Sequence, residues 1–254
     1  RLVLAAVANR GPGTPEARLE ATARELEAAV QEDPASTPAR LELGRFLLRR
    51  GAAEKAAALM AAAGPAGAAS PEVVALQARA MVLSGRALDA QNLVDAAVAR
   101  SPGAAPLLFL KGFIQEQLGK TAEAEARYRE AAAKAPGDWE PQLALGRLAL
   151  KANDLEKAAA ALKLAAEKGP RQAEVQVGLG DLEMARKAGA AAEARYREAL
   201  ALDPGNARAR YGLARVALAR GDERAALAEL GQALALDPRL APALLGLASI
   251  QWGR

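Results

Sequence analysis

Four arginines, Arg45, Arg79, Arg147 and Arg215, share one register: each stands 34 residues, or twice 34, from the next, with Phe113 and Asp181 in the two intervening places. A guanidinium is always charged and presents a planar fork of N–H donors. A row of them is therefore chemistry for carboxylates, held by charge-assisted hydrogen bonds. About a helical turn to one side stand Phe109 and Tyr211, and to the other Arg49 and Lys151. The chain has only three phenylalanines, and Phe109 and Phe113 are four residues apart, the spacing that puts two side chains on one helix face. These groups are suited to recognition, not to catalysis. Cysteine and histidine are both absent, which removes thiol nucleophiles, the commonest metal ligands and the commonest general base. No glycine-rich phosphate loop follows a strand, and carboxylates such as Glu25 and Glu27 read as solvated helix surface. An enzyme, a cofactor and a metal site are accordingly not expected.

What positions such a row is a repeat. Prolines stand at 34, 102, 136, 170, 204 and 238, and the missing beat at Ala68 is flanked by Gly64-Pro65 and Ser70-Pro71, which supply turns to either side. Twelve residues before each beat from 68 onward is an alanine: Ala56, Ala90, Ala124, Ala158, Ala192 and Ala226. Five before it is another: Ala63, Ala97, Ala131, Ala165, Ala199 and Ala233. Eight before, the residue is larger: Met60, Val94, Tyr128, Leu162, Tyr196 and Leu230. Twenty-four before, Gly44, Gly112, Gly146 and Gly180 share a place with Ala78, Ala214 and Ala248. Small residues beside knobs are what close helix crossings require. A period of this length means stacked helical hairpins. The segment EARYREA, Glu125 to Ala131, recurs at Glu193 to Ala199, and aromatics make up only 3% of the chain, so packing must be helix on helix through small residues.

Thr14 followed by Pro15 starts a helix that Asp33-Pro34 ends. Six hairpins follow, with first helices expected near 38–50, 71–84, 105–118, 139–152, 173–187 and 207–219, and partners near 53–63, 87–100, 121–134, 155–168, 190–202 and 223–236. Gly51, Gly85, Gly119 and Gly221 close first helices in the left-handed turn, with Asn153 as substitute, and Asp154 and Asp222 cap the helices that follow.

The chain thereby resembles the tetratricopeptide repeat family, whose signature is a leucine-glycine pair, an alanine, a bulky residue four later and a closing proline. Leu145-Gly146, Ala158, Leu162 and Pro170 make one copy, and Leu179-Gly180, Ala192, Tyr196 and Pro204 another. Two departures stand out. Val74, Leu108 and Gln142 replace the usual early tryptophan, and Leu47, Met81 and Ala149 the usual tyrosine of the first helix. The resemblance implies an all-α, right-handed superhelical solenoid of antiparallel helix pairs. Residues 1–14 read as an apolar segment and linker, and 15–254 as the array: the second helix of a first repeat, six full repeats near 37–70, 71–104, 105–138, 139–172, 173–206 and 207–240, and a lone helix at 241–252.

In arrays of this family the first helices line the concave wall, where partners lie as extended peptides or helices. On that resemblance Arg45, Arg49, Arg79, Phe109, Phe113, Arg147, Lys151, Tyr211 and Arg215 form a candidate site for a protein or peptide with acidic and apolar side chains. The family's clamp for chaperone tails is not supported, because Leu41 and Arg45, then Ala75 and Arg79, occupy its positions with no asparagine in reach. The expected role is a scaffold in a bacterial assembly such as envelope, secretion, motility or polysaccharide machinery. The bacterial origin rests on a composition rich in alanine, arginine and glycine. The alternative is self-assembly through the last helix, where Ile250 and Trp252 offer an apolar surface. Nucleic acid is not an expected partner: a net charge of +4 arises from 34 basic residues interleaved with 30 acidic ones. Leu2 to Ala8 is an apolar run too short to span a bilayer, separated from the array by Gly11-Pro12-Gly13, and Arg1 in place of methionine reads as a processed or partial product. Cytoplasm and periplasm both remain open, with or without a membrane tether.

Overall fold

The computed structural model describes residue 5 and residues 14–252, and among these every regular element is a helix. The chain divides into two compact units, one ending at Pro136 and the other beginning at Gly137. The first holds α1 (Pro15–Glu32), the pair α2 (Thr37–Arg49) and α3 (Ala53–Ala61), a short α4 (Gly64–Ala69), then the pairs α5 (Pro71–Leu83) with α6 (Ala87–Arg100) and α7 (Ala105–Gln117) with α8 (Thr121–Lys134). In the second, α9 (Glu140–Lys151) pairs with α10 (Leu155–Lys168), α11 (Ala173–Ala185) with α12 (Gly189–Leu202), and α13 (Ala207–Ala219) with α14 (Glu223–Leu236), followed by α15 (Ala241–Trp252).

The small-residue seam explains the pairing. Ala56, Ala90, Ala124, Ala158, Ala192 and Ala226 are all 0% exposed, and the knobs between them, from Met60 to Leu230, are at most 1% exposed. Each hairpin thus closes on an alanine too small to hold the helices apart. The register also reaches back to Ala5, which is helical, buried and 34 residues before the buried Ala39. The rest of the Leu2 to Ala8 run and Gly11-Pro12-Gly13 lie outside the described residues.

Local signals set the helix ends. The side-chain oxygens of Thr14, Asp154 and Asp222 accept from the backbone N–H of Ala17, Lys157 and Ala225 at 3.3, 3.1 and 2.9 Å. Hydrogen bonds from Lys157, foremost that of its side chain, hold the Asp154 carboxyl below its ordinary pKa. Gly51, Gly85, Gly119 and Gly221 take φ of 70, 83, 76 and 77°, and Asn153 takes 56°. Lys187 stands in the same register and takes φ 61°, a left-handed conformation that costs a side-chain-bearing residue about 1–2 kcal/mol. The register dictates this turn even where the residue is unsuited to it. Lys187→Gly should therefore stabilise the chain by up to about 1 kcal/mol, the relief being partly offset by the unfolded-state entropy of glycine. A lower denaturation midpoint for that variant would show the turn is unstrained.

Around the missing beat the structure departs from expectation. Gly64-Pro65 and Ser70-Pro71 do not simply supply two turns; they bracket α4, and α3 ends at Ala61 instead of near residue 63. Gly64 turns the chain at φ 68°, and Pro65 lies in the first turn of the new helix. Ala63 is left outside any helix and half-buried, unlike Ala97, Ala131, Ala165, Ala199 and Ala233, which are buried.

Candidate functional site

In the first unit the site residues sit on three first helices. Arg45 and Arg49 are exposed on α2, and Arg45 Nη1 donates to Glu42 Oε1 of the same helix at 2.7 Å. Arg79 on α5 lies with its guanidinium carbon 5.7 Å from the ring centroid of Phe113 on α7, a cation–π geometry. Both are half-buried; Phe113 rests one side on the core formed by Ala78, Met81, Leu110 and Ile114. Phe109, one turn earlier, packs instead on Tyr128 of α8, with centroids 5.3 Å apart. Tyr128 is a buried knob whose hydroxyl donates to Glu116 Oε2 at 2.9 Å. Phe109 therefore serves the inter-helix packing as well as any surface role.

In the second unit, α9 carries the half-buried Arg147 and the exposed Lys151, α11 carries Asp181, and α13 carries Tyr211 and Arg215. Arg215 Nη1 donates to Asp181 Oδ1 at 2.6 Å, and its guanidinium carbon lies 5.9 Å from the Tyr211 ring centroid. The Tyr196 hydroxyl donates to the same Asp181 oxygen at 2.9 Å. Burial, and secondarily the Asp181 charge, push the Tyr196 phenol well above its ordinary pKa, so it stays a donor. The Tyr196 ring is fixed by close backbone on both sides: a Cβ added at Gly180 or at Gly212 would stand 2.5 Å from its ring carbons.

Arg79 and Phe113 are 34 residues apart, and so are Asp181 and Arg215. One pair of successive register members thus touches across neighbouring repeats in each unit. The row is less basic than its four arginines suggest, because Arg215 is neutralised by Asp181 and Arg45 by Glu42. The tyrosine-to-acid bonds, Tyr128 to Glu116 and Tyr196 to Asp181, were not foreseen. Their signal was present: a tyrosine at an otherwise aliphatic buried place needs an acceptor. Arg40 was missed too; it is buried, its Nη1 donating to the Leu59 carbonyl at 2.8 Å and its Nη2 to that of Pro34 at 2.6 Å.

Among the described residues no group of three or more histidine, cysteine, aspartate or glutamate side chains is placed to hold a metal ion, and no helix is long and apolar enough to cross a membrane. The last helix differs from expectation at one residue. Ile250 is only 8% exposed, packed with Leu230, Ala233 and Ala243, so it belongs to the core; the exposed apolar residues are Leu244, Leu245 and Trp252.

A tetratricopeptide repeat profile matches residues 14–80, 116–179 and 183–239, and a second profile of the same description matches 76–138. No curated protein sequence matches the chain. Among solved structures, the APC/C hetero-tetramer Cut9–Hcn1 aligns with a TM-score of 0.64 at 18% identity, over 92% of this chain and 48% of that one. This chain thus spans about half the length of that neighbour. A thermophilic repeat protein of Thermus thermophilus aligns at TM-score 0.63 and 23% identity, over 71% of this chain and 98% of that one. A tetratricopeptide repeat protein of Parabacteroides merdae aligns at TM-score 0.63 and 16% identity, over 92% of both chains. These identities speak to fold alone. With repeat profiles covering most of its length and helix pairs built on the repeat's own seam residues, the chain belongs to the tetratricopeptide repeat family, an all-α solenoid that serves as a scaffold for protein interactions.

Proposed function

We propose that this chain is a non-catalytic scaffold that binds a partner peptide or helix along the wall formed by its first helices, and that the partner presents acidic and apolar side chains. The observation that carries this reading is the half-exposed pair of Arg79 and Phe113. A guanidinium held over an aromatic ring offers a carboxylate a charged donor directly beside an apolar anchor, which is the composition of interaction hot spots. Within the second unit, Arg147 on α9 stands at the same register place as Arg79. The alanine-, arginine- and glycine-rich composition supports a bacterial origin, and the family resemblance supports a multiprotein assembly of the envelope, secretion, motility or polysaccharide kind.

Reversing the charge at both Arg79 and Arg147 should weaken capture of the co-purifying partner by about tenfold and flatten the salt dependence of what remains. Arg127 on α8, which pairs with Glu130 of its own helix at 2.7 Å, is the control and should change little on reversal. Arg195 is a poorer control, since its guanidinium also reaches Gln176 of α11 at 3.3 Å. Loss of capture by the Arg127 variant alone would move the site to the second helices.

A second reading, self-association through α15, is favoured by Trp252 at 88% exposed and Leu245 at 71%. It requires light scattering that rises with concentration and a Trp252 emission, isolated by replacing Trp139, that shifts to the blue in parallel. Constant scattering and a constant emission rule it out.

A further inference from the structure

We propose that Asp181 determines the charge preference around Arg215 in the second unit: it satisfies Arg215 from within, so that this part of the wall discriminates against acidic segments that Arg215 would otherwise attract. The inference rests on the first-helix wall being the binding surface.

Three observations point to it. Asp181 is the only acid in a register otherwise filled by Arg45, Arg79, Phe113, Arg147 and Arg215. It holds Arg215 at 2.6 Å, while the pair stays partly open to solvent, with side chains 35% and 26% exposed for the arginine and the acid. A segment lying on the wall therefore meets both charges, not a sealed interior pair. Its carboxylate oxygen is also fixed by the Tyr196 hydroxyl, whose ring is locked between Gly180 and Gly212. Swinging the acid away would give up the bonds from both Tyr196 and Arg215.

An incoming carboxylate at Arg215 would stand within a few ångströms of this fixed negative charge. Like charges at that range in a partly screened setting repel strongly enough to set specificity. An uncharged segment meets no such penalty and can use Tyr211, half-buried beneath the Arg215 guanidinium. In the first unit the register place beside Arg79 is taken by the Phe113 ring, and the acid that the seam tyrosine Tyr128 holds is Glu116, one turn further along the same helix.

The test compares two probes on the full chain by calorimetry: a soluble peptide of glutamate, leucine and alanine, and its counterpart with glutamine for every glutamate. Asp181→Asn keeps an oxygen that can accept from Tyr196 and removes only the charge. It should raise the affinity for the acidic probe relative to the neutral one by about tenfold. Adding Arg215→Gln to that variant should abolish the gain, and matching melting curves exclude a folding effect. If both probes bind and the ratio is unchanged, the inference is wrong while the groove reading stands. If the acidic probe binds the Asp181→Asn variant more weakly, Asp181 orients Arg215 for binding and the inference is again overturned. If neither probe binds either protein, the groove reading falls and this inference with it.

Discussion

Tyr196→Ala should destabilise the second unit by about 3–5 kcal/mol, the range for removing a large ring from a packed interior. The ring is 0% exposed and bounded by Gly180 on α11 and Gly212 on α13. The space left would be lined by two backbones that are already at close approach and cannot follow the missing atoms inward. Tyr196→Phe removes only the hydroxyl, and because Arg215 still serves Asp181 it should cost about 1 kcal/mol. The opposite change, filling the seam with Ala192→Leu, should cost about 1–3 kcal/mol, because Ala192 is 0% exposed where the helices of its hairpin cross. Because each repeat leans on its neighbours, hydrogen exchange in Tyr196→Ala should accelerate first in α11, α12 and α13. Denaturation curves that move by less than about 1 kcal/mol for Tyr196→Ala would show that the ring is not the clamp between these helices.

Most of the fold was legible because the residues that carry it are the ones the period repeats. An alanine such as Ala158 reports its own environment: only a small side chain fits a helix crossing, so its recurrence marks every seam. Left-handed turns were legible wherever glycine or asparagine stood, and Lys187 was overlooked because residue type hid what the register required. The α4 helix was invisible for a different reason. Gly64-Pro65 suits a turn and a helix start equally well, and the choice between them is made by packing around residue 67, which is buried in α4.

The row of first-helix residues was legible in its register and not in its pairings. A period of 34 places Asp181 and Arg215 in one row, but whether their side chains meet depends on the offset between neighbouring repeats, which no single repeat encodes. The same holds for Arg79 on Phe113. Counting arginines along the row consequently overstated its positive charge, and the acid in the row, read at first as one more wall residue, proved to be a fixed partner.

Phe113→Ala carries the largest effect expected on binding: a loss of about 2 kcal/mol or more, expressed mainly as faster dissociation of the partner segment. Two contributions make up that figure. On the proposed reading the ring supplies apolar surface to the partner, and it lies 5.7 Å from the Arg79 guanidinium carbon, so that removing it would loosen the charged donor together with the anchor. Because Phe113 also leans on Ala78, Met81, Leu110 and Ile114, the alanine variant should lose some stability as well, and binding alone would not separate the two causes. Phe113→Leu makes the separation. Leucine keeps the core contact but has no aromatic face, so its melting curve should stay near that of the parent while partner dissociation still quickens. If Phe113→Leu binds like the parent and only the alanine variant fails, the ring matters as core filling, and the Arg79–Phe113 pair is not the anchor.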